Sequence, residues 1–288
     1  MSDHDAAPDL TGADLTGTDL AAASARAAAF RDLHRPGQPL LMPNPWDAGS
    51  ARLLASLGYA ALATTSSGFA ATLGRLDGTV SRDEALAHAA VVSAATPLPV
   101  SADLENMFAD DPEGVADTVR RAAVTGLAGC SIEDFSGTGI YDLGRAAERV
   151  AAAAEAIRAA PVPLVLTARA ENYLHGRPDL ADTIARLQRY QEAGADVLYA
   201  PGISRPEDIR AVVTEVDRPV NVLAFRGVPD IPELARLGVA RVSVGGAFAY
   251  VALAALARAG RELLESGTLG YLDAAAAGRE AAGAAFGS

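Results

Sequence analysis

From Leu40 onward, short apolar runs alternate with alanine-rich amphipathic stretches. The runs fall at residues 40–42, 60–64, 100–103, 130–133, 164–168, 195–199, 220–223 and 241–244, and each reads as a strand. Between them the punctuation is helical. Ser81-Arg82-Asp83-Glu84 and Ser204-Arg205-Pro206-Glu207 read as capping boxes, and Asp111-Pro112 as a cap followed by a first-turn proline. Gly58, Gly126 and Gly194 read as helix stops. A long helix is expected after Gly246. Strands alternating with helices predict parallel pairing. Eight such units in about 250 residues match a (β/α)8 TIM-type barrel. A doubly wound open sheet is disfavoured because the first strand lacks a glycine fingerprint.

Residues 1–24, rich in Asp, Thr, Gly and Ala, hold little to bury and are expected to form a weakly ordered N-terminal tail. Residues 25–288 then make one barrel domain with a C-terminal helical extension.

Composition narrows the chemistry. The 288 residues carry 24 basic and 36 acidic side chains, a net charge of −12. That sign repels phosphate backbones and anionic lipid, so neither nucleic acid nor membrane is the expected partner. No run reaches the length of a membrane span and no signal-peptide plan is present, so a cytoplasmic location is expected. Cys130 is the single cysteine, which excludes an intrachain disulfide or a multi-cysteine metal site. The sequence contains no lysine, so Schiff-base catalysis and a Walker lysine are both excluded. An enolate formed here needs another stabiliser, and a metal ion held by carboxylates is the obvious one.

Barrel active sites lie at the C-terminal strand ends and the loops beyond them. Those positions hold Thr65, Ser66, Ser67, Asp77, Asp103, Glu105, Glu133, Arg169 and Asn221. The four carboxylates Asp77, Asp103, Glu105 and Glu133 come from three adjacent strands, and anions so placed repel one another unless protonated or bridged by a cation. An all-oxygen set suits Mg2+, with Mn2+ as a substitute; none of His4, His34, His88 and His175 falls on a strand end. Arg169 is the one cation of the group, and its fork matches a substrate carboxylate or one of the acids. Gly245 and Gly246 are read as close packing rather than a phosphate cradle.

These segments resemble the isocitrate lyase/phosphoenolpyruvate mutase superfamily over residues 30–264. The resemblance rests on Pro43-Asn44-Pro45-Trp46-Asp47-Ala48, Thr65-Ser66-Ser67-Gly68 with Leu76-Asp77, Ala102-Asp103-Leu104-Glu105, Ile132-Glu133-Asp134, Ala168-Arg169 and Asn221-Val222-Leu223-Ala224. It implies a (β/α)8 barrel, commonly tetrameric with its last helix swapped between neighbours. It also implies Mg2+ and chemistry on C–C or P–C bonds of small carboxylates through an enolpyruvate-like intermediate. By the same resemblance Asp103 is the direct metal ligand. Glu105, Asp77 and Glu133 hold the metal directly or through water. Thr65, Ser66, Arg169 and Asn221 grip the 2-oxo acid, Ser67 stands beside them, and Trp46 is a pocket wall.

Two departures decide the expected activity. The loop after strand four, Glu133-Asp134-Phe135-Ser136-Gly137-Thr138-Gly139-Ile140-Tyr141-Asp142, carries neither the lyase Lys-x-Cys-Gly signature nor the mutase lysine and asparagine. After Glu105, Asn106-Met107-Phe108-Ala109 replaces a Gly-aromatic-Gly turn. The leading expectation is therefore a Mg2+-dependent lyase cleaving a C–C bond of a small 2-oxo or 2-hydroxy dicarboxylate, by retro-aldol or decarboxylation. Its proton would come from water, Ser136 or Tyr141. The alternatives are a phosphonate P–C mutase or hydrolase, and a barrel that binds a metabolite without turnover. A small-residue row, Ala247, Val251, Ala254 and Ala255, and the apolar Leu269, Tyr271 and Leu272 add the expectation of a homo-oligomer, a dimer or tetramer.

Overall fold

A computed structural model describes residues 17–287. Eight parallel strands form a nearly closed barrel alternating with helices, a (β/α)8 fold. The strands are β1 (Leu40–Met42), β2 (Leu62–Ala63), β3 (Val100–Asp103), β4 (Gly129–Glu133), β5 (Val165–Arg169), β6 (Val197–Tyr199), β7 (Val220–Leu223) and β8 (Arg241–Ser243). From β2 to β8 each strand pairs with its sequence neighbours in that run, and β1 pairs with β8. The β1–β2 seam has no ladder; Ala63 N–H donates to the Pro43 carbonyl at 3.1 Å. Asn44 completes the closure. Its amide donates to the Thr64 carbonyl at 2.8 Å, and its oxygen accepts from the N–H groups of Val244 and Gly245 at 2.9 and 3.0 Å.

The sheet's outer face holds Ala102, Cys130, Ile132, Leu166, Ala168, Leu198, Val222 and Val242, all buried against the helical layer, and this is the main apolar core. The helices are α2 (Ala48–Ser56), α4 (Arg82–Ala94), α5 (Pro112–Ala122), α6 (Leu143–Ala159), α7 (Leu180–Ala193), α8 (Pro206–Glu215) and α9 (Ile231–Arg236). In α4 the Ser81 hydroxyl accepts from Glu84 N–H while the Glu84 carboxylate accepts from Ser81 N–H, as the capping box requires. Asp111 caps α5, and Gly194 ends α7 in the left-handed region. The second expected box does not form. Arg205, not Ser204, takes the cap position of α8 with no side-chain cap bond, and its guanidinium donates to the Glu207 carboxylate in the first turn.

The N-terminal boundary also differs. Helix α1 (Gly17–Asp32) starts inside the segment expected to be a tail; residues 1–16 lie outside the described residues. Ala23, Ala27 and Phe30 recur at helical spacing and are fully buried, so α1 has an apolar stripe despite its small side chains. It lies across the N-terminal mouth of the barrel. A side chain at Gly129 would meet the Phe30 ring at 2.9 Å and the Val165 carbonyl at 2.7 Å, so the plug needs glycine there.

A short helix, α3 (Ser66–Thr72), follows β2 and was not expected from the sequence. After β8 come α10 (Ala247–Arg261), a π-helical turn (Glu262–Ser266) and α11 (Tyr271–Phe286). The end of α11 returns to pack on α2. Tyr250, Val251, Leu253, Leu256, Leu263, Leu264, Leu269 and Leu272 are exposed along this arm. Among the described residues no helix is long and apolar enough to cross a membrane.

Candidate active site

Inward-facing positions of the strands are polar rather than branched and apolar. Ser101, Ser131, Thr167, Asn221, Arg241 and Ser243 line the lumen, which opens into a cavity of about 800 Å³ at the C-terminal strand ends. The parallel register sets the key groups side by side: Asp103 lies opposite Ser131, Glu133 opposite Arg169, and Arg169 opposite Tyr199.

Arg169 is the hub. Its Nη1 donates to Asp103 at 3.1 Å and lies 2.8 Å from Glu133, and its Nε donates to Glu171 at 2.7 Å. The guanidinium carbon stands 5.0 Å above the Tyr199 ring. Asp103 also accepts from the Ser66 N–H at 3.1 Å and from the Ser131 hydroxyl at 3.5 Å. Its own N–H donates to the Thr64 hydroxyl at 2.9 Å. These bonds fix the carboxylate from three strands.

Beyond β3 the chain takes an unusual path. Glu105, Met107 and Phe108 have φ of 47°, 61° and 56°, the left-handed region that side chains disfavour, and no other non-glycine among the described residues does so. Arg149 holds this turn in place. Fully buried on α6, it donates to the carbonyls of Asn106, Ala109 and Glu133 at 2.5, 3.0 and 3.0 Å. Thr118 adds a bond to the Met107 carbonyl at 2.8 Å. This turn contains no glycine and is held by side-chain donors instead.

Charge is unbalanced in this cavity. Asp77, Asp103, Glu105, Glu133 and Glu171 line it, against Arg169 and the deeper Arg241. Burial, then the charges of Asp103 and Asp77, push the Glu105 carboxyl up to about 7. Asp77, on the loop at the cavity mouth, is raised by partial burial and by Asp103, against a hydrogen bond from Ser66. Burial pushes Glu133 above the usual carboxylate range despite the pull of Arg169, with Glu171, Asp103 and Glu105 adding to the rise. Burial alone would lower Arg169, but Glu133, Glu171 and Asp103 more than reverse this, so it stays cationic.

The expected site residues divide into three groups. Asp77, Asp103, Glu105, Glu133, Arg169, Ser66 and Ser67 do meet at the cavity. Thr65 lines it too, but its hydroxyl caps α3 through Gly68 N–H at 3.3 Å and contacts Ser67. Asn221 faces the lumen with its amide engaged: it donates to Ser243 at 3.0 Å and accepts from Arg241 at 2.9 Å. Trp46 is not among the lining residues; its Cβ packs beside Gly68 and its carbonyl accepts from His88. Gly246 is a close approach, as expected: a Cβ there would meet the Ser67 hydroxyl at 2.4 Å. Titratable lining residues that were passed over are Asp110, Tyr199, Arg241 and, in the loop after β5, Glu171 and His175. Glu171 follows Arg169 by two residues, a spacing that could have flagged it.

Among the described residues, no group of three or more His, Cys, Asp or Glu side chains stands close enough to hold a metal together. Glu133 is committed to Arg169 rather than to the other acids. Mg2+ needs less, taking one or two protein carboxylates and keeping several waters. Asp103 and Glu105 suffice, and the rise that burial and the charges of Asp103 and Asp77 impose on Glu105 marks a place where positive charge is missing. The donor set fits Mg2+.

Residues 30–264 match the family model for phosphoenolpyruvate phosphomutase. The chain belongs to the phosphoenolpyruvate mutase/isocitrate lyase superfamily. A crystal structure of a candidate lyase/mutase from Burkholderia cenocepacia J2315 is 54% identical, with a TM-score of 0.87 over 91% of this chain and 95% of that one. An uncharacterized protein of Mycobacterium tuberculosis is 35% identical over 81% of this chain and 88% of its own length. The oxaloacetate decarboxylase of Pseudomonas entomophila is 27% identical over 78% of this chain and 79% of its own. Members of this superfamily are lyases and mutases, and an enzyme of that kind is what this chain encodes.

Proposed function

We propose that this protein is a Mg2+-dependent lyase that breaks a C–C bond of a small 2-oxo or 2-hydroxy dicarboxylate, by decarboxylation or retro-aldol cleavage. The observation that carries the reading is the pairing of one fixed guanidinium, Arg169, with a surplus of carboxylates around Asp103 in a polar lumen. Asp103 and Glu105 would hold the ion, with Asp77 reaching it through water. When bound, the ion draws off the negative charge that develops on the 2-oxo oxygen as the bond breaks. Arg169 orients the substrate carboxylate, held in one plane by Glu133, Glu171 and the Tyr199 ring. Ser66 and Ser67 offer hydroxyls at the same end.

A Mg2+-supplemented panel of oxaloacetate-like and alkylmalate-like acids, followed for pyruvate or glyoxylate release, tests this; Mn2+ should substitute and excess EDTA should stop turnover. No release from any acid counts against it, and intact metal binding without turnover would favour a binding barrel. The family model, named for a phosphomutase, keeps P–C chemistry as the second reading. Incubation with phosphonopyruvate tests it by phosphorus NMR: an unchanged P–C signal removes it.

We infer a cytoplasmic homo-oligomer, tetrameric or dimeric, assembled through the arm beyond Gly246. Its exposed leucines and valines are the support for this reading. Light scattering of the full chain and of a form ending at Gly260 decides it; a full-length monomer of 29.4 kDa at micromolar concentration overturns it.

A further inference from the structure

The proposed cleavage leaves a carbanion that must be protonated, and the loop after β4 offers no suitable acid. Its Ser136 hydroxyl is spent within its own turn, donating to the Gly139 carbonyl at 2.9 Å and accepting from Gly139 N–H at 3.0 Å. Tyr141 donates to Asp110 and does not line the cavity. Cys130 lies in the core on β4, its thiol pushed up to about 12 by burial. His34 faces Arg241 under the barrel, and His88 is stacked on Phe69 and bonded to the Trp46 carbonyl.

One imidazole among the described residues does line the cavity, and it stands on a built mount. The His175 ring lies flat on Phe135 of the β4 loop, with centroids 3.5 Å apart and planes 12° apart. Its Nε2 is 3.9 Å from Glu171 Oε2, a charge pair when the ring is protonated. Glu171 is in turn bonded to Arg169, so the imidazole is two groups away from the guanidinium hub. The loop carrying it is cross-braced. His175 N–H donates to the Glu171 carbonyl, and the fully buried Asn172 amide donates to the Arg177 and Asp179 carbonyls and to Thr183. Glu171 N–H is fixed by Asp134 at 2.8 Å. A third of the His175 side chain remains exposed, which leaves a path for solvent to restore its proton.

We propose that His175 is the general acid of this site, supplying from the β5 loop the proton that the β4 loop cannot. The assignment rests on the lyase reading above. In a decarboxylation the C3–C4 bond of the 2-oxo dicarboxylate breaks, and its electron pair becomes the C2–C3 double bond of the enolate. Carbon dioxide leaves, an imidazolium N–H passes its proton to C3, and pyruvate and neutral His175 result. Solvent then recharges the ring. Phe135 sets the plane of the ring, and Glu171 stabilises its charged form. Partial burial lowers the imidazole's proton affinity, Asp134 raises it and Arg169 lowers it, so the group titrates below its ordinary value.

The reverse half-reaction isolates this step. Pyruvate in D2O with Mg2+ should exchange its methyl protons in the wild-type protein, read by proton NMR. Oxalate, a planar dianion of the enolate's shape, serves as the binding probe by calorimetry. His175→Gln should slow exchange by on the order of 10²–10⁴-fold, with oxalate affinity unchanged. His175→Ala should lose exchange likewise and regain part of it with added imidazole. Exchange at the wild-type rate in His175→Gln overturns the assignment while leaving the lyase reading standing. A wild-type protein that binds oxalate yet exchanges nothing overturns it too. If oxalate also fails to bind, the lyase reading falls with it.

Discussion

Two arginines face the same lumen from opposite regimes. Arg169 sits among three carboxylates and a tyrosine face, and stays charged because the anions outweigh the loss of water. Arg241, deeper and fully buried, has no carboxylate partner among the described residues. It donates instead to the neutral Asn221 and Thr167 oxygens at 2.9 and 3.1 Å and contacts His34 at 3.2 Å. Burial, with Arg169 adding to it, lowers Arg241 to about 9. The contrast separates roles. Charge is concentrated where bonds would be made or broken, and below that point it is set in a neutral cage.

The largest expected effect comes from stripping the upper regime of its anchor. Asp103→Ala should reduce Mg2+-dependent turnover by on the order of 10³-fold, with little change in melting temperature because Asp103 ends its strand outside the apolar core. Full activity in this variant, or in excess EDTA, would break the metal assignment.

Next, Arg169→Lys keeps the charge and loses the fork, so kcat/KM should fall on the order of 10²-fold. Unchanged kinetics would mean that Arg169 only neutralises its acids.

The lower regime has its own signature. Burial, then the Arg241 charge, hold His34 down to about 3, so it is neutral in the folded chain; Nδ1 donates to the Phe30 carbonyl at 2.8 Å and Nε2 accepts from Arg241. Below about pH 6.5 the unfolded chain binds a proton that the folded chain refuses, so stability falls as pH falls from there toward 3. Between pH 6.5 and 5 this costs about 2 kcal/mol. Urea unfolding of wild type and His34→Gln at both pH values checks it, since the carboxylates contribute equally to both proteins. An identical pH dependence in the two would show that His34 is not held neutral.

The smallest effect expected is Tyr141→Phe. Its hydroxyl donates to Asp110 and Tyr141 itself does not line the cavity, so turnover should stay within about twofold. A collapse in rate would move the acid back to the β4 loop and weaken the contrast between loops.

Sequence reading recovered the strands and most caps because each rests on local chemistry: short apolar runs, a serine three residues before a glutamate, a glycine that can turn left-handed. It missed α1 because alanine carries little hydrophobic signal, although Ala23, Ala27 and Phe30 keep the spacing. In the site, strand-end acids were legible from topology alone, since a parallel barrel sends every strand end to one face. What was not legible depends on contacts between distant segments. His175 is brought to the cavity by a turn braced through Asn172, and the 3.5 Å stack on Phe135 joins loops 40 residues apart in sequence. Trp46 shows the converse: its motif resembles the family's, but it is not among the residues that line the cavity.

The open seam between β1 and β2 gives the barrel a weak meridian. Where every other pair of neighbouring strands shares a ladder, this one is joined by one backbone bond, Ala63 N–H to the Pro43 carbonyl, and by the Asn44 carboxamide, which reaches the Thr64 carbonyl and the Val244 and Gly245 amides. Local breathing should therefore begin there, without global unfolding. The amides of Val244 and Gly245 would exchange with solvent well before those of Ser131 or Thr167.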